Sequence, residues 1–199
     1  MINATPKIVK ASMDWLEPKI QKSWKVFEWG TGLSTIYWAE RVAEIISIED
    51  NKKWRDSITK QLENRQLKNC IIHLILPDKL PIKKHIINNK IAERLTQDPT
   101  KYISKHSLTS IYKSYVKKID SFSDEYFDLI FIDGRARASC IKHAIDKLRP
   151  GGYLMLDNSE RCIYNIAKRL IKAWDSIMFF GRGIPPRNKW YTTIWTKPL

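Results

Sequence analysis

The sequence is poor in cysteine and has no long apolar run, and each absence excludes a class of protein. Cys70, Cys140 and Cys162 are too few and too scattered for a disulfide framework or a zinc site, so we expect buried free thiols. No run approaches the about 18 apolar residues of a membrane helix, and residues 1–20 hold no apolar stretch long enough for a signal-peptide core. Together these features predict a cytoplasmic protein.

Acidic residues are scarce relative to basic ones. The chain has 21 Asp and Glu against 35 Lys and Arg, which gives a formal net charge of +14. Such a balance bears on binding partners and solubility rather than on fold. The remaining composition, 43% hydrophobic and 28% charged, argues against disorder, a collagen-like repeat or a bare coiled coil. A length of 199 residues suits one domain, or two small ones.

Short apolar strands alternate with helical patterns along most of the chain. The predicted strands are Lys25–Trp29, Glu44–Ile48, Asn69–Leu76, Phe127–Ile132, Tyr153–Leu156, Ser176–Phe180 and Trp190–Trp195. Apolar residues at helical spacing follow the first five strands, at Ile36, Ala39 and Ala43; at Trp54, Ile58 and Leu62; at Tyr112, Tyr115, Val116 and Ile119; at Ile141, Ala144, Ile145 and Leu148; and from Ile163 to Trp174.

This alternation predicts a parallel sheet covered on both faces. The last two strands leave no room for a crossover helix between them, so they are predicted to form an antiparallel hairpin at the edge of the sheet. We therefore predict a single α/β domain, residues 1–199, with a doubly wound, seven-stranded, mostly parallel sheet and an antiparallel C-terminal hairpin.

Two segments lie outside this pattern. Residues 1–24 are predicted to form an N-terminal helical extension. Residues 78–107 exceed what the sheet needs, and we expect this insertion to act as a lid, because long loops without a role are uncommon. From Lys79 to Lys118 there are ten Lys/Arg and two acids, so this stretch contributes +8 of the +14.

The first strand runs into a glycine turn. Gly30 and Gly32 let the backbone pass close to a ligand and begin a helix whose amides face that ligand. Glu49 ends the second strand and can accept hydrogen bonds from both hydroxyls of a ribose. Thr35 stands where a dinucleotide-binding fingerprint has its third glycine, and Glu28 would repel a pyrophosphate but suits an ammonium and a sulfonium. Charge therefore favours S-adenosylmethionine (SAM) over NAD.

At these residues the chain resembles the class I SAM-dependent methyltransferases. Glu28-x-Gly30-x-Gly32 is similar to their first motif, Glu49 to their ribose-binding acid, Phe127–Gly134 to their fourth-strand motif and Leu148–Leu156 to the turn and strand that follow. The resemblance covers residues 25 to 196 without the insertion, and it implies a Rossmann-like fold, SAM as cofactor and methyltransferase activity. The residues then expected at the cofactor are Glu28, Trp29, Gly30, Gly32, Ser34, Glu49 and Asp133, with Asp78 as a candidate contact to adenine.

Polar side chains follow the fourth and fifth strands, whose carboxyl ends meet at one rim of the sheet. Asp133, Asp157 and Asn158 stand there, as in catechol-type, metal-dependent O-methyltransferases. This similarity implies a Mg²⁺ ion held by the three residues and bound to the acceptor oxygens. In the alternative, Asp133 contacts the cofactor or the acceptor directly, while Asp157 and Asn158 cap the next helix.

Basic residues stand beside the same rim. Arg135 and Arg137 weaken the attraction for a cation, and either can clamp an anionic acceptor. The predicted catalytic residues are Asp133, Arg135 and Asp157. His85 and His106, in the insertion, are further candidates for a base.

These features leave three hypotheses about function. The first is O-methylation of a hydroxylated or anionic small molecule. The second is methylation of RNA at a ribose or a cap, with the basic insertion and its tyrosines binding phosphates. No Asn-Pro-Pro-Tyr-like motif follows the fourth strand, which argues against methylation of a base nitrogen. The third is a nucleic-acid-binding module without catalysis. The sequence leaves the acceptor, the atom methylated and the oligomeric state open.

Overall fold

The computed structural model describes residues 5–79, 89–104, 107–183 and 189–199. Its strands are β1 (Lys25–Trp29), β2 (Glu44–Glu49), β3 (Cys70–Leu74), β4 (Asp78–Lys79), β5 (Ile103–Ser104), β6 (Ser107–Ile111), β7 (Phe127–Ile132), β8 (Leu148–Asp157), β9 (Asp175–Arg182) and β10 (Lys189–Thr196). Seven of them form the main sheet, in the order β3-β2-β1-β7-β8-β10-β9. β10 runs opposite to the other six strands of this sheet, so its pairs with β8 and β9 are antiparallel and the remaining pairs are parallel. The predicted seven-stranded sheet with a C-terminal hairpin is confirmed.

Helices cover both faces of this sheet. The described α-helices are α1 (Lys10–Leu16), α2 (Leu33–Ala39), α3 (Lys52–Asn64), α4 (Asn89–Gln97), α5 (Lys113–Lys117), α6 (Arg137–Lys147) and α7 (Asn165–Lys168), of which α4 belongs to the insertion. Among the described residues, no helix is both long and apolar enough to cross a bilayer.

Apolar residues on both faces of the central strands create two cores. Along β1, Val26 points into the cluster with α1, α2 and α3, while Phe27 points into the cluster with α5 and α6. Both side chains are fully buried. Because successive side chains of a strand alternate between faces, a strand buried on both faces is apolar at most of its positions.

Three helix predictions differ from the structure in detail. Ala43 is exposed and lies beyond α2, because the helix ends at Ala39 and the chain turns into β2. The stripe from Ile163 to Trp174 is one short α-helix flanked by 3₁₀ turns, although its buried residues keep helical spacing. Trp54 shares a helix with the buried Ile58 and Leu62, yet it is 45% exposed, because it faces the glycine turn described below.

The described part of the insertion has its own secondary structure. β4, β6 and β5 form a three-stranded antiparallel sheet, and α4 packs against β5, α7 and the 3₁₀ turn Cys162–Tyr164. The insertion therefore lies beside the segment that follows β8. His85 and His106 lie outside the described residues.

Candidate functional site

The carboxyl ends of β1 and β7 meet backbone to backbone at two glycines. Gly30 has a φ of +99°, and a Cβ atom there would lie 2.8 Å from the Gly134 nitrogen. A Cβ atom on Gly134 would lie 2.9 Å from the Gly30 nitrogen and would overlap the Tyr115 hydroxyl. The Asp133 amide also donates to the Trp29 carbonyl oxygen over 2.9 Å. Both glycines are thus required by the close approach of two strand ends.

Glu28 lies beneath the glycine turn and holds it in place. Its carboxylate accepts hydrogen bonds from the Ser34 and Thr35 hydroxyls, each at 2.5 Å, and from the Ser47 hydroxyl at 2.8 Å. Burial raises the pKa of Glu28 to about 7, although the three hydroxyl donors oppose that rise. Glu28 lines neither of the two cavities described below, so the predicted direct contact with a cofactor ammonium is not available to it.

The Glu28→Gln variant is expected to flatten the dependence of stability on pH. The pKa of Glu28 is about 7 in the fold against 4.5 for a free glutamate, so its contribution to stability is present below pH 4.5 and is lost as the pH rises through 7. From pH 5 to pH 8 the free energy of unfolding of the wild type should therefore fall, with Glu28 accounting for up to about 3 kcal/mol of that fall. Urea denaturation of both proteins at the two pH values measures the difference. The exposed Glu63, changed to Gln, is the control, and an equal fall in the wild type and in Glu28→Gln would contradict this role.

The main cavity has a volume of about 410 Å³ and opens above the carboxyl ends of the central strands. This volume is typical of small-molecule sites. Five segments contribute to its wall: the glycine turn, the start of α3, the loop after β7, the insertion and the segment after β8. The lining residues are Gly30, Thr31, Glu49, Asp50, Asn51, Trp54, Thr96, Ile103, Ser104, Asp133, Gly134, Arg135, Ala136, Arg137, Ala138, Arg161, Ile163 and Tyr164.

Glu49 is fixed at the edge of this cavity by backbone amides. One of its oxygens accepts from the amides of Asp50 (2.9 Å) and Asn51 (2.8 Å), and the other from the amide of Thr31 (3.1 Å). Burial raises the pKa of Glu49 to about 7. Each carboxylate oxygen has two lone-pair sites, so three of the four are occupied and Oε2 can still accept one hydrogen bond from a ligand hydroxyl.

A second cavity, of about 240 Å³, adjoins the first across the glycine turn. It shares Gly30, Thr31, Trp54 and Asp133 with the main cavity. The Trp54 indole donates to the Thr31 carbonyl oxygen at 2.5 Å and so lies against the turn between the two cavities. The other lining residues are Lys7, Ile8, Gly32, Leu33, Ser34, Ser57, Ile58 and Gln61.

Arg137 joins the ends of β7 and β8 and uses all of its nitrogens to do so. Nη2 donates to Asp133 Oδ1 (2.7 Å) and to the Asp133 carbonyl oxygen (2.8 Å). Nη1 donates to the Asp157 carbonyl oxygen (2.5 Å), and Nε to that of Gly134 (3.1 Å). Arg137 is therefore a structural link and not a clamp for an acceptor. Within the described residues no donor contacts Asp133 Oδ2, and Asp133 lines both cavities.

The three predicted metal ligands do not fit a Mg²⁺ ion. The Arg137 guanidinium occupies one oxygen of Asp133, where a cation would bind. Asp157 Oδ1 accepts from Trp190 Nε1 and Thr192 Oγ1, both at 2.7 Å, and burial raises the pKa of Asp157 to about 7. Asn158 Oδ1 accepts from two arginines, Arg161 at 3.2 Å and Arg137 at 3.4 Å, and like Asp157 it lines neither cavity. Across the described ranges no group of His, Cys, Asp and Glu is arranged to hold a metal ion.

The other sequence-predicted residues divide between the cavities and the scaffold. Arg135 lines the main cavity, but its Nε is paired with Asp50 Oδ2 at 3.1 Å. Trp29 is buried in the core and donates to the Tyr115 carbonyl oxygen at 3.2 Å. Asp78 accepts from the amide and the hydroxyl of Ser114 and lines neither cavity, so the predicted contact with adenine is not available to it.

Sequence reasoning missed several cavity residues. Trp54 was assigned to the core by its spacing, and Arg161 stands four residues after Asp157 in a segment read only as the start of a helix. Both residues follow shortly after the carboxyl ends of β2 and β8, and this position is the sequence feature that could have indicated that they line the cavity. The insertion residues Thr96, Ile103 and Ser104 had no such signal, because they reach the cavity only through the fold of the insertion.

Comparisons with known proteins bear on the fold. No protein-family model matches the chain, and no curated protein matches it. An rRNA methylase structure from Streptococcus thermophilus has a TM-score of 0.61 at 9% identity, with 96% of each chain covered. A methyltransferase structure from Streptococcus mutans in complex with SAH (S-adenosylhomocysteine) has a TM-score of 0.59 at 12% identity, covering 94% of this chain and 96% of that chain.

A third similar structure is a SAM-dependent O-methyltransferase from Thermotoga maritima. Its TM-score is 0.57 at 10% identity, and the match covers 96% of this chain and 65% of that chain. Identities this low establish a shared fold and leave the substrate open. The sheet order and these three structures together show that the chain has the Rossmann-like fold of the class I SAM-dependent methyltransferases.

Proposed function

We propose that the protein is a SAM-dependent methyltransferase that methylates an oxygen of a small molecule. The observation that carries this proposal is the Glu49 carboxylate, which three backbone amides hold at the edge of the main cavity beside the glycine turn. An acid held in this way has one lone-pair site of Oε2 left to accept a hydrogen bond from a ribose hydroxyl.

The two adjoining cavities suit the two halves of the cofactor. The main cavity, with Glu49, would hold the adenosine. The second cavity would hold the amino-acid half, because Lys7 lines it and its ammonium can pair with the carboxylate of that half. When bound, SAM supplies an electrophilic methyl group on a sulfonium.

The chain's own contribution to catalysis is positioning and the removal of a proton. Methyl transfer is an in-line displacement, for which correct placement of the two reactants supplies much of the acceleration. A hydroxyl acceptor must also lose its proton. Asp133 lines both cavities, and its Oδ2 is free of protein donors within the described residues, so we assign the general base to Asp133. Arg137 holds the other oxygen and fixes the orientation of the carboxyl group.

Calorimetric titration with SAM and SAH tests this proposal, with NAD as the control ligand. The wild type is expected to bind both sulfur ligands with micromolar affinity and to bind NAD far more weakly. Glu49→Ala should weaken SAH binding by about 10- to 150-fold, since it removes a charge-assisted hydrogen bond to the ribose of roughly 1.5–3 kcal/mol.

Glu63→Ala, on the exposed face of α3, is the matched control and should bind SAH as the wild type does. Melting temperatures of both variants separate loss of the site from loss of the fold. Failure of the wild type to bind SAH, or unchanged binding by a folded Glu49→Ala protein, would contradict the proposal.

Methylation of RNA at a ribose or a cap is the second candidate, favoured by the net charge of +14. In its favour, some residues of the basic stretch 79–118 line the main cavity. Against it, Thr96, Ile103 and Ser104 from that stretch close one side of a cavity of about 410 Å³. Binding of RNA that exceeds binding of heparin, with a steep dependence on salt, would favour this candidate; equal binding of any polyanion would count against it.

A further inference from the structure

We infer that Arg161 binds an anionic group of the methyl acceptor, so that the acceptor is a small carboxylate or phosphate that also carries the hydroxyl to be methylated. This inference rests on the proposed function and adds the chemical class of its substrate. Arg161 has no role in the linkage between β7 and β8 that Arg137 provides.

Arg161 has most of its hydrogen-bonding capacity unused. The residue is partly buried and lines the main cavity. Its guanidinium makes one hydrogen bond with the rest of the described chain, from Nη2 to Asn158 Oδ1 at 3.2 Å. No carboxylate among the described residues lies within 4.0 Å of it, unlike the guanidinium groups of Arg135 and Arg137. A planar guanidinium with free donors is suited to bidentate binding of a carboxylate or a phosphate.

Among the described arginines of the cavity wall, Arg161 has no ion pair within 4.0 Å, although its charge acts on Asp133 from a longer distance and opposes the rise that burial causes in the pKa of that carboxyl. Arg137 is paired with Asp133 at 2.7 Å, and Arg135 with Asp50 at 3.1 Å. Among the described residues of the cavity wall, the remaining charged groups are Glu49 and Arg161. The cavity is therefore negative beside the end of β2, where the ribose is proposed to bind, and positive beside the segment that follows β8.

Glu49 and Arg161 lie on opposite sides of the cavity, where the cofactor and the acceptor are proposed to bind. In the sheet, β2 and β8 are separated by β1 and β7, which places their ends roughly 14 Å apart at a strand spacing of about 4.8 Å. Asp133 ends β7, the immediate neighbour of β8. Asp133 and Arg161 therefore follow adjacent strands. A small acceptor can place its hydroxyl at Asp133 and its anionic group at Arg161 at the same time.

The wall near Arg161 encloses a small acceptor. Ile163 and Tyr164 come from the same segment, and Thr96, Ile103 and Ser104 come from the insertion that packs on it. All five residues are at least nine-tenths buried. A partly enclosed wall of this kind lowers the local dielectric, so an ion pair with Arg161 is stronger there than on an open surface.

The test is calorimetric titration of SAH-saturated protein with matched acidic and neutral probes. The probes are 4-hydroxybenzoate, phenyl phosphate and the neutral 4-hydroxybenzamide. The acids should bind the wild type at least tenfold more tightly than the amide. Arg161→Gln should weaken binding of the acids by about 10- to 100-fold and leave binding of the amide unchanged. The ratio of the two acids tells a carboxylate site from a phosphate site.

Two further variants complete the test. Arg161→Lys keeps the charge but loses the planar fork, so its affinity for the acids should lie between those of the wild type and Arg161→Gln. Arg169→Gln removes an exposed arginine from the same segment and should change nothing.

The inference is overturned if Arg161→Gln binds the acids as tightly as the wild type does, if the amide binds as tightly as the acids, or if no acid binds the wild type at about 10 mM. Absence of SAH binding would instead refute the proposed function, and titration of the SAH-free protein would then still decide whether Arg161 binds anions.

Discussion

Methyl transfer by an Asp133→Asn variant is expected to be roughly 100- to 10,000-fold slower than by the wild type, which is the range for loss of a positioned general base. Asparagine keeps the shape of the side chain but cannot take the proton of the acceptor hydroxyl. Burial raises the pKa of Asp133, while Arg137 opposes that rise. The measurement is formation of SAH in single turnover, with an acceptor drawn from the hydroxylated carboxylates and phosphates that bind at Arg161.

The pH dependence distinguishes a base from a merely structural carboxylate. A base acts in its deprotonated form, so the wild-type rate should rise with pH through the pKa of Asp133, and this rise should be absent in Asp133→Asn. Asp146→Asn, on the exposed face of α6, is the control and should leave the rate unchanged. Asp133 is not the base if Asp133→Asn retains more than about a tenth of the wild-type rate, or if it is slow but keeps the pH dependence.

Replacement of Gly134 by alanine is expected to lower the free energy of unfolding by about 3 kcal/mol or more, which is the upper range for overpacking a core. The added Cβ atom would lie 2.9 Å from the Gly30 nitrogen and would overlap the Tyr115 hydroxyl. Neither strand end can move aside, because the Asp133 amide is bonded to the Trp29 carbonyl oxygen. Urea denaturation at pH 7 measures the change.

A second variant separates the side-chain clash from the backbone clash. Tyr115→Phe combined with Gly134→Ala removes the hydroxyl but not the backbone contact, so it should recover only part of the lost stability. Gly32→Ala is the matched control: a Cβ atom there meets only Ser34 Oγ, at 3.8 Å, and the variant should lose less than about 1 kcal/mol. A stability loss for Gly134→Ala no larger than for Gly32→Ala would show that the two strand ends can separate.

Local patterns in the sequence were enough to predict the fold. The runs at Lys25–Trp29 and Phe127–Ile132 are mostly apolar because both faces of a central parallel strand are buried. The short Gly/Pro-rich connection before the last strand requires a hairpin, because a parallel crossover needs a longer link. The ends of helices were predicted less accurately, since packing decides where each helix must stop.

The sequence also predicted part of the candidate site. Gly30, Gly32, Ser34, Glu49, Asp133 and Arg135 line the two cavities, and each of them follows directly from a strand end or a glycine turn. These positions are set by chain connectivity, because the carboxyl ends of parallel strands must share one rim of the sheet.

Only the tertiary structure decided how the charged side chains pair. Arg137 reaches the Asp157 carbonyl oxygen, 20 residues away, and so takes the place of the predicted metal ion. Glu28 turns away from the cavities to bind Ser47, 19 residues away. The Trp54 indole donates to the Thr31 carbonyl oxygen, 23 residues away. Within the described residues, Arg161 is the arginine of the cavity wall that has no ion pair. Sequence periodicity records which face of an element is apolar, but the partner of a polar side chain depends on distances between elements, which are set only when the chain packs.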